Sequence, residues 1–262
     1  MRFTKTVLNT LGFISVVICL YLSHANGAGA AEPARRVLFV GNSFSFYNNG
    51  IHNQTANLIR AAGQWKKGKN RFRLLTLSGG WMSEQKPLLQ TYLKNTDDKW
   101  NVVVLQGHSL DPIKDGSGFR NAVGEMAKIV RKTGAQPVLF MTWAYENKPE
   151  MTTELARGYL EAGKEFDIPV VPVGMAFQLV EKTYPEIDLF TPDILGQDKG
   201  NVTFKKTLKH PSPAGTYLAA CVFYSIFMNQ SPVGNPYHAG LSAVTAEKLQ
   251  NVAWQITNHL SP

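Results

Sequence analysis

Apolar residues along the chain fall into short continuous runs separated by longer stretches of helical spacing. Residues 37–40 (Val-Leu-Phe-Val) are apolar without alternation and stop at Gly41, the pattern of a strand buried on both faces. Helical spacing follows over 51–62. A second strand is predicted over 72–77, stopped by Gly79-Gly80, and a helix over 83–93. The buried run Val102–Leu105 comes next, then a helix over 119–132 with Gly134 as its C-cap. Strand 137–141, helix 150–166 and strand 169–173 continue the alternation. Residues 184–209 show no period and read as a long loop, and helices over 214–228 and 243–259 close the chain. Alternating strands and helices predict an α/β fold, a three-layer α/β/α sandwich on a mainly parallel five-stranded sheet. Ligands of such sheets bind at the carboxyl ends of the strands, so the residues just after each strand matter most.

A length of 262 residues suits one large domain, and 44% hydrophobic with 18% charged residues is ordinary for a globular protein with a sizeable core. The N-terminus stands apart. Arg2 and Lys5 precede an apolar run over 11–22, and Ala28-Gly29-Ala30 offers the small residues a signal peptidase accepts. The run is short for a span of the bilayer core. The expectation is a signal peptide over 1–30, a single domain over 31–262, export to the periplasm or beyond, and no stable membrane insertion. A membrane anchor is the competing reading. Cys19 does not make a lipoprotein site, because Val17-Ile18 before it are not small. Once it leaves, Cys221 is alone and reads as a buried structural thiol.

The formal charge is +8, and +6 without Arg2 and Lys5. Basic residues are scattered except for Lys66, Lys67, Lys69, Arg71 and Arg73 around Phe72. A nucleic-acid patch and a solvated loop both fit this cluster. Export argues against a nucleic-acid partner, and anionic polysaccharide or a membrane face would also suit it.

After the first strand comes Gly41-Asn42-Ser43-Phe44-Ser45, which reads equally as a turn and as an exposed nucleophile ahead of helical N–H groups. It is not a G-x-S-x-G elbow. Ser78-Gly79-Gly80-Trp81 follows the second strand, and Gln106-Gly107-His108-Ser109-Leu110-Asp111 the third, where amide and hydroxyl donors suit an oxyanion. His210-Pro211-Ser212-Pro213 leads into a helix with Ser212 as N-cap, which holds His210 at a fixed place for a base. His52 and His259 fall in predicted helices and His238 in a Pro/Gly-rich loop. No histidine pair has metal-ligand spacing, so no metal or cofactor is expected.

Taken in order, these segments resemble the blocks of the SGNH (GDSL-like) hydrolases, in an exported, poorly characterised bacterial branch. Gly41-Asn42-Ser43 matches the first block, Gly79 or Gly80 the second, Gly107-His108-Ser109 the third and His210-Pro211 the last. The resemblance spans residues 36–230 and implies a serine esterase. Ser43 would be the nucleophile and His210 the base, with the backbone N–H groups of Ser43 and Gly80 and a side chain from Gln106 or Ser109 in the oxyanion hole. Two departures stand out. Thr207 occupies the place of the usual Asp, so the third member is Thr207, Asp193 or Asp198, or the site is a dyad. Ser109 stands where Asn is usual. Implied substrates are small-molecule or carbohydrate esters, perhaps acetyl groups on sugars, with Trp81, Trp143 and Tyr145 as stacking or packing residues. The rival readings are a non-catalytic glycan-binding or scaffold protein, and a lipolytic enzyme. The latter wants an apolar lid, and 184–209 reads as too polar for one.

Overall fold

The computed structural model describes residues 33–258, so the signal-peptide expectation and His259 lie outside the described residues. The sheet contains β1 (Arg36–Gly41), β2 (Arg71–Thr76), β3 (Val102–Leu105), β4 (Gln136–Phe140) and β5 (Val170–Val171). Their order is β2-β1-β3-β4-β5 and every pairing is parallel. The sandwich foreseen from the alternation is therefore the architecture found. Val37, Leu38, Phe39 and Val40 of β1 are fully buried. Each such side chain contributes about 1.5–3 kcal/mol over an exposed one, which fixes β1 inside the sheet between β2 and β3.

Helices follow the strands: α1 (Ser43–Phe46), α2 (Ile51–Ala61), α3 (Met82–Lys94), α4 (Asp111–Lys114), α5 (Gly116–Arg131), α6 (Met151–Phe166), α7 (Val173–Thr183), α8 (Pro213–Met228) and α9 (Ala243–Thr257). α5 packs with α3 and with α6, while α8 packs with α2, α7 and α9. Enclosed by these neighbours, α8 is apolar on nearly every face and buries Cys221, whose thiol is pushed up by desolvation. The expected cap at Ser212 is present: its hydroxyl accepts the Gly215 N–H at 3.2 Å, with Pro213 at the first helical position.

Two expectations need correction. The last sheet strand is only Val170–Val171, because Pro172 turns the chain directly into α7, a helix the periodicity reading passed over. The supposed featureless loop contains β6 (Phe190–Thr191), β7 (Ile194–Asp198) and β8 (Asn201–Phe204), and the chain then returns through β9 (His210–Pro211). β7 and β8 pair antiparallel and are almost wholly exposed, so no buried face imposes a period on them. Their turn is Asp198-Lys199-Gly200-Asn201, with φ of 47° at Lys199 and 85° at Gly200, the double left-handed geometry of a tight hairpin.

Candidate active site

The site begins where β1 ends. Gly41 is required by close approach, since a Cβ there would lie 2.3 Å from Gln106 Oε1 and 2.7 Å from Ser45 Oγ. Asn42 caps α1: its Oδ1 accepts the Phe44 N–H at 3.1 Å. Its Nδ2 donates to Gly80 O at 3.1 Å and more weakly to Gly107 O at 3.4 Å, so one buried amide ties the ends of β1, β2 and β3 together. Gln106 completes the brace. Its Oε1 accepts the Asn42 N–H at 3.1 Å and the Ser45 hydroxyl at 2.7 Å, and its Nε2 donates to Asn42 Oδ1 at 2.7 Å. Ser43, the first residue of α1, projects half-buried from this frame.

His210 arrives from the other side of the cleft. β9 pairs antiparallel with β6, Thr191 opposite His210, which brings the following Asp193 alongside the ring. The Ser212 hydroxyl donates to Asp188 O at 2.7 Å, and Asn48 Nδ2 donates to Pro211 O at 2.8 Å, so both flanks of the strand are tied. Trp143 Nε1 donates to Lys209 O at 2.9 Å. The Trp143 ring stacks between Phe44 at 4.6 Å and Phe177 at 4.3 Å, which joins the α1 turn to the His210 strand through one aromatic column.

Three side chains meet. Ser43 Oγ lies 2.8 Å from His210 Nε2, and His210 Nδ1 lies 2.5 Å from Asp193 Oδ1. Tyr47 stacks on the His210 ring at 4.3 Å and its hydroxyl donates to Asp193 Oδ1 at 3.1 Å. Lys205 Nζ stands 3.9 Å from Asp193 Oδ2. Burial pushes the His210 pKa down. Asp193 opposes this by hydrogen bond and charge, Lys209 and Lys205 add to it, and the net shift is downward. Burial pushes Asp193 up, but the bond and charge of His210, the Tyr47 hydroxyl and Lys205 together hold it below the usual carboxylate range. Burial and the adjacent carboxylate push Tyr47 up to about 12, so it stays a hydrogen-bond donor.

Of the three candidates for the third position, only Asp193 lies against His210. Asp198 is at the exposed hairpin turn, and Thr207 is exposed, because the chain approaches His210 from outside the cleft. Three of the candidate oxyanion groups already have partners within the chain. The Gly80 N–H is already given to Leu77 O at 2.9 Å, closing the turn after β2. Gln106 spends both ends of its amide on the brace, its Nε2 also reaching Gly107 O at 2.6 Å. Ser109 is buried and hydrogen bonded to the Tyr145 hydroxyl at 2.9 Å. The Ser43 and Gly79 N–H groups, by contrast, have no protein acceptor among the described residues. Trp143 is fully buried and Tyr145 nearly so, which makes both packing residues rather than sugar platforms. Trp81 is half-buried and stacks on His108 at 4.8 Å.

Sequence reasoning missed Tyr47, Asn48 and the bracing role of Asn42. Tyr47 was findable from its position one helical turn after Ser43. The Asp111 carboxylate, buried and accepting the His108 N–H at 2.7 Å and the Met82 N–H at 2.9 Å, was also passed over; burial raises it to about 6. Among the described residues no group of His, Cys, Asp and Glu forms a metal-binding cluster.

With this sheet order the chain has the fold of the SGNH hydrolases. It superposes on a putative SGNH hydrolase from Slackia heliotrinireducens with a TM-score of 0.55 and 22% identity, covering 74% of this chain and 99% of that one. A DUF4886 family protein from Bacteroides uniformis matches with a TM-score of 0.65 and 18% identity over 86% of this chain and 95% of that one. The acetyl xylan esterase AlAXEase matches with a TM-score of 0.54 and 14% identity, over 72% and 98%. No family model and no curated protein matches the chain.

Proposed function

We propose that the protein is a serine hydrolase of ester bonds, with Ser43 as nucleophile, His210 as general base and Asp193 as the carboxylate that orients it. The observation that carries this reading is the unbroken relay from Ser43 Oγ through both nitrogens of His210 to Asp193. With Nδ1–H donated to Asp193, the Nε2 lone pair faces the Ser43 hydroxyl. His210 takes that proton as Oγ attacks the ester carbonyl, then returns it to the departing alcohol. Water, deprotonated by the same nitrogen, cleaves the acyl-Ser43 intermediate. The Ser43 N–H is the oxyanion donor, joined by the Gly79 N–H in place of the Gly80 group. Gln106 and Asn42 act by holding the turn. Turnover of a short-chain aryl ester tests the reading, and Ser43→Ala is expected to lower kcat roughly 10⁴–10⁶-fold. Equal turnover by wild type and variant would favour a binding protein instead.

For substrate we propose a short acyl group, such as acetyl, on a carbohydrate. Trp81 on His108, half-buried after the two strands that flank β1, offers an aromatic face at the same end of the sheet as Ser43. A likeness in fold to an acetyl xylan esterase is consistent with this. A second reading rests on the hairpin, which exposes Ile194, Leu195, Val202 and Phe204 directly after Asp193. Those side chains suit a longer acyl chain. A series of aryl esters from acetyl to dodecanoyl, run beside an acetylated glycan, separates the two by where kcat/KM peaks. We place the activity outside the cytoplasm on the signal-like start, and N-terminal sequencing of exported material, expected to begin at Ala31, tests that.

A further inference from the structure

The basic cluster around Phe72 has no part in the chemistry above, and the fold gives it a definite shape. Between α2 and the edge strand β2 lies a cleft of about 180 Å³. Its polar walls are Arg60, Arg71, Arg73, Asn53 and Asn70, with Trp65 and Phe72 beside them. Asn70 is the telling residue. It is only 8% exposed, and its amide orientation is set because Oδ1 accepts the Lys66 N–H at 2.8 Å. Its Nδ2 is buried without any acceptor. A buried donor left unpaired costs about 1–3 kcal/mol, so the position calls for an acceptor that the chain does not supply.

The charges point to what that acceptor carries. Three guanidinium groups line the cleft, and the one carboxylate paired with them, Asp98, is shared between Arg71 and Arg36. Arg73 has no carboxylate partner among the described residues. Arg60 Cζ lies over the Trp65 ring, 4.0 Å from its centroid, and one guanidinium N–H is donated to Asn57 Oδ1 at 2.8 Å, so its fork is held rather than free. Lys66, Lys67 and Lys69 on the adjoining turn add to the positive field. One held guanidinium, a second without a carboxylate partner and an amide donor make a set that binds carboxylate, sulfate or phosphate oxygens. The cleft is also roomier than one free anion needs, and its amides and aromatic wall suit the hydroxyls and apolar edge of a sugar ring.

We propose that this cleft is a binding site for an acidic saccharide, taking its carboxylate or sulfate between Arg60, Arg73 and Asn70 Nδ2. It lies away from the Ser43 end of the sheet. Arg71 pairs with Arg36 and Arg73 with Leu38 while Thr76 pairs with Gly41, displacements of five and three residues or about 16 and 10 Å. The site therefore anchors a polymer without touching the reacting ester. Binding is read directly, so the proposal stands or falls apart from the esterase reading.

Isothermal titration of the full chain tests it, with a hexuronate tetramer, its neutral hexose counterpart, inorganic phosphate and a single-stranded oligonucleotide as probes. The expected result is saturable one-to-one binding of the hexuronate and none of the neutral oligomer. Arg60→Ala with Arg73→Ala should weaken it at least tenfold. Asn70→Asp, which keeps the acceptor for Lys66 N–H and replaces the orphan donor with an oxygen, should do the same, with aryl-ester turnover unchanged. Hexuronate binding that is absent, or equal in these variants, overturns the site. Phosphate or the oligonucleotide binding as tightly as the hexuronate overturns the saccharide assignment.

Discussion

The turn that carries Ser43 and the hairpin segment that carries Asp193 meet in one site but are held by opposite means. The Ser43 turn is built from the inside. Four fully buried residues of β1 lead into it, and Asn42 and Gln106 lock it with hydrogen bonds shielded from water. The Asp193 segment is built from the outside. It leaves the two-residue strand β6, contributes one buried carboxylate, and runs straight into a hairpin with four large apolar side chains in solvent. Ser43 thus sits on a rigid frame, while Asp193 sits where the chain can vary without cost to the core.

The sharpest way to break this comparison is to remove charge from the outer region alone. Asp193→Asn keeps the shape but presents the wrong hydrogen-bonding pattern to His210 Nδ1, and kcat is expected to fall about 10⁴-fold. Steady-state turnover of an aryl ester measures it. Asp198→Asn and Thr207→Val, both exposed, serve as controls expected within about twofold of wild type, since surface changes away from partners cost little.

Next in size is damage to the inner frame. Gln106→Ala leaves the Asn42 N–H and the Ser45 hydroxyl without their acceptor in a buried place. The loss should be about 1–3 kcal/mol of stability per orphaned group, read as a lower urea midpoint at constant m-value. Asp193→Asn should barely move that midpoint. A frame variant that melts like wild type would mean the inner region is not held as described.

A smaller effect is expected at Tyr47. Tyr47→Phe keeps the ring stacked on His210 and removes one hydrogen bond to Asp193. One such bond to a charged group is worth about 1.5–3 kcal/mol, so kcat/KM should fall by roughly 10–100-fold at most. The smallest effect concerns pH. With the His210 pKa lowered by burial, the base form persists into mild acid, and the acid limb of kcat/KM should lie below the ordinary histidine value of about 6.5. Asp193 favours the charged ring, so Asp193→Asn moves the limb lower still. Lys205 disfavours it, so Lys205→Gln moves the limb up. A limb above 6.5 in the wild type would contradict the burial argument.

The same contrast explains what was legible in the sequence. Buried strands advertise themselves: residues 37–40 and Val102–Leu105 are apolar because both of their faces are covered, and the turns after them carry Ser43 and Gln106. Ser212-Pro213 marked the start of α8 and so the fixed place of His210. The hairpin was illegible by periodicity because neither face is buried, although Lys199-Gly200 between its strands was a turn signal available to be read. Asp193 was one of three candidates because its selection depends on Thr191 pairing with His210, a contact between segments that no local pattern encodes. The engagement of the Gly80 N–H was illegible for a related reason. Which N–H is free depends on who else accepts it, and Leu77 O had already taken that of Gly80.

The central claim is that Ser43 is activated by His210 through Asp193. Labelling with a serine-directed phosphonate, followed by mass spectrometry of the adduct, tests it most directly, because the reagent reports nucleophilicity without needing the physiological substrate. The account predicts one adduct per chain on Ser43, forming orders of magnitude more slowly in Asp193→Asn and at wild-type rate in Asp198→Asn. An adduct on Ser45, or labelling of Ser43 at the same rate in Asp193→Asn, would contradict it.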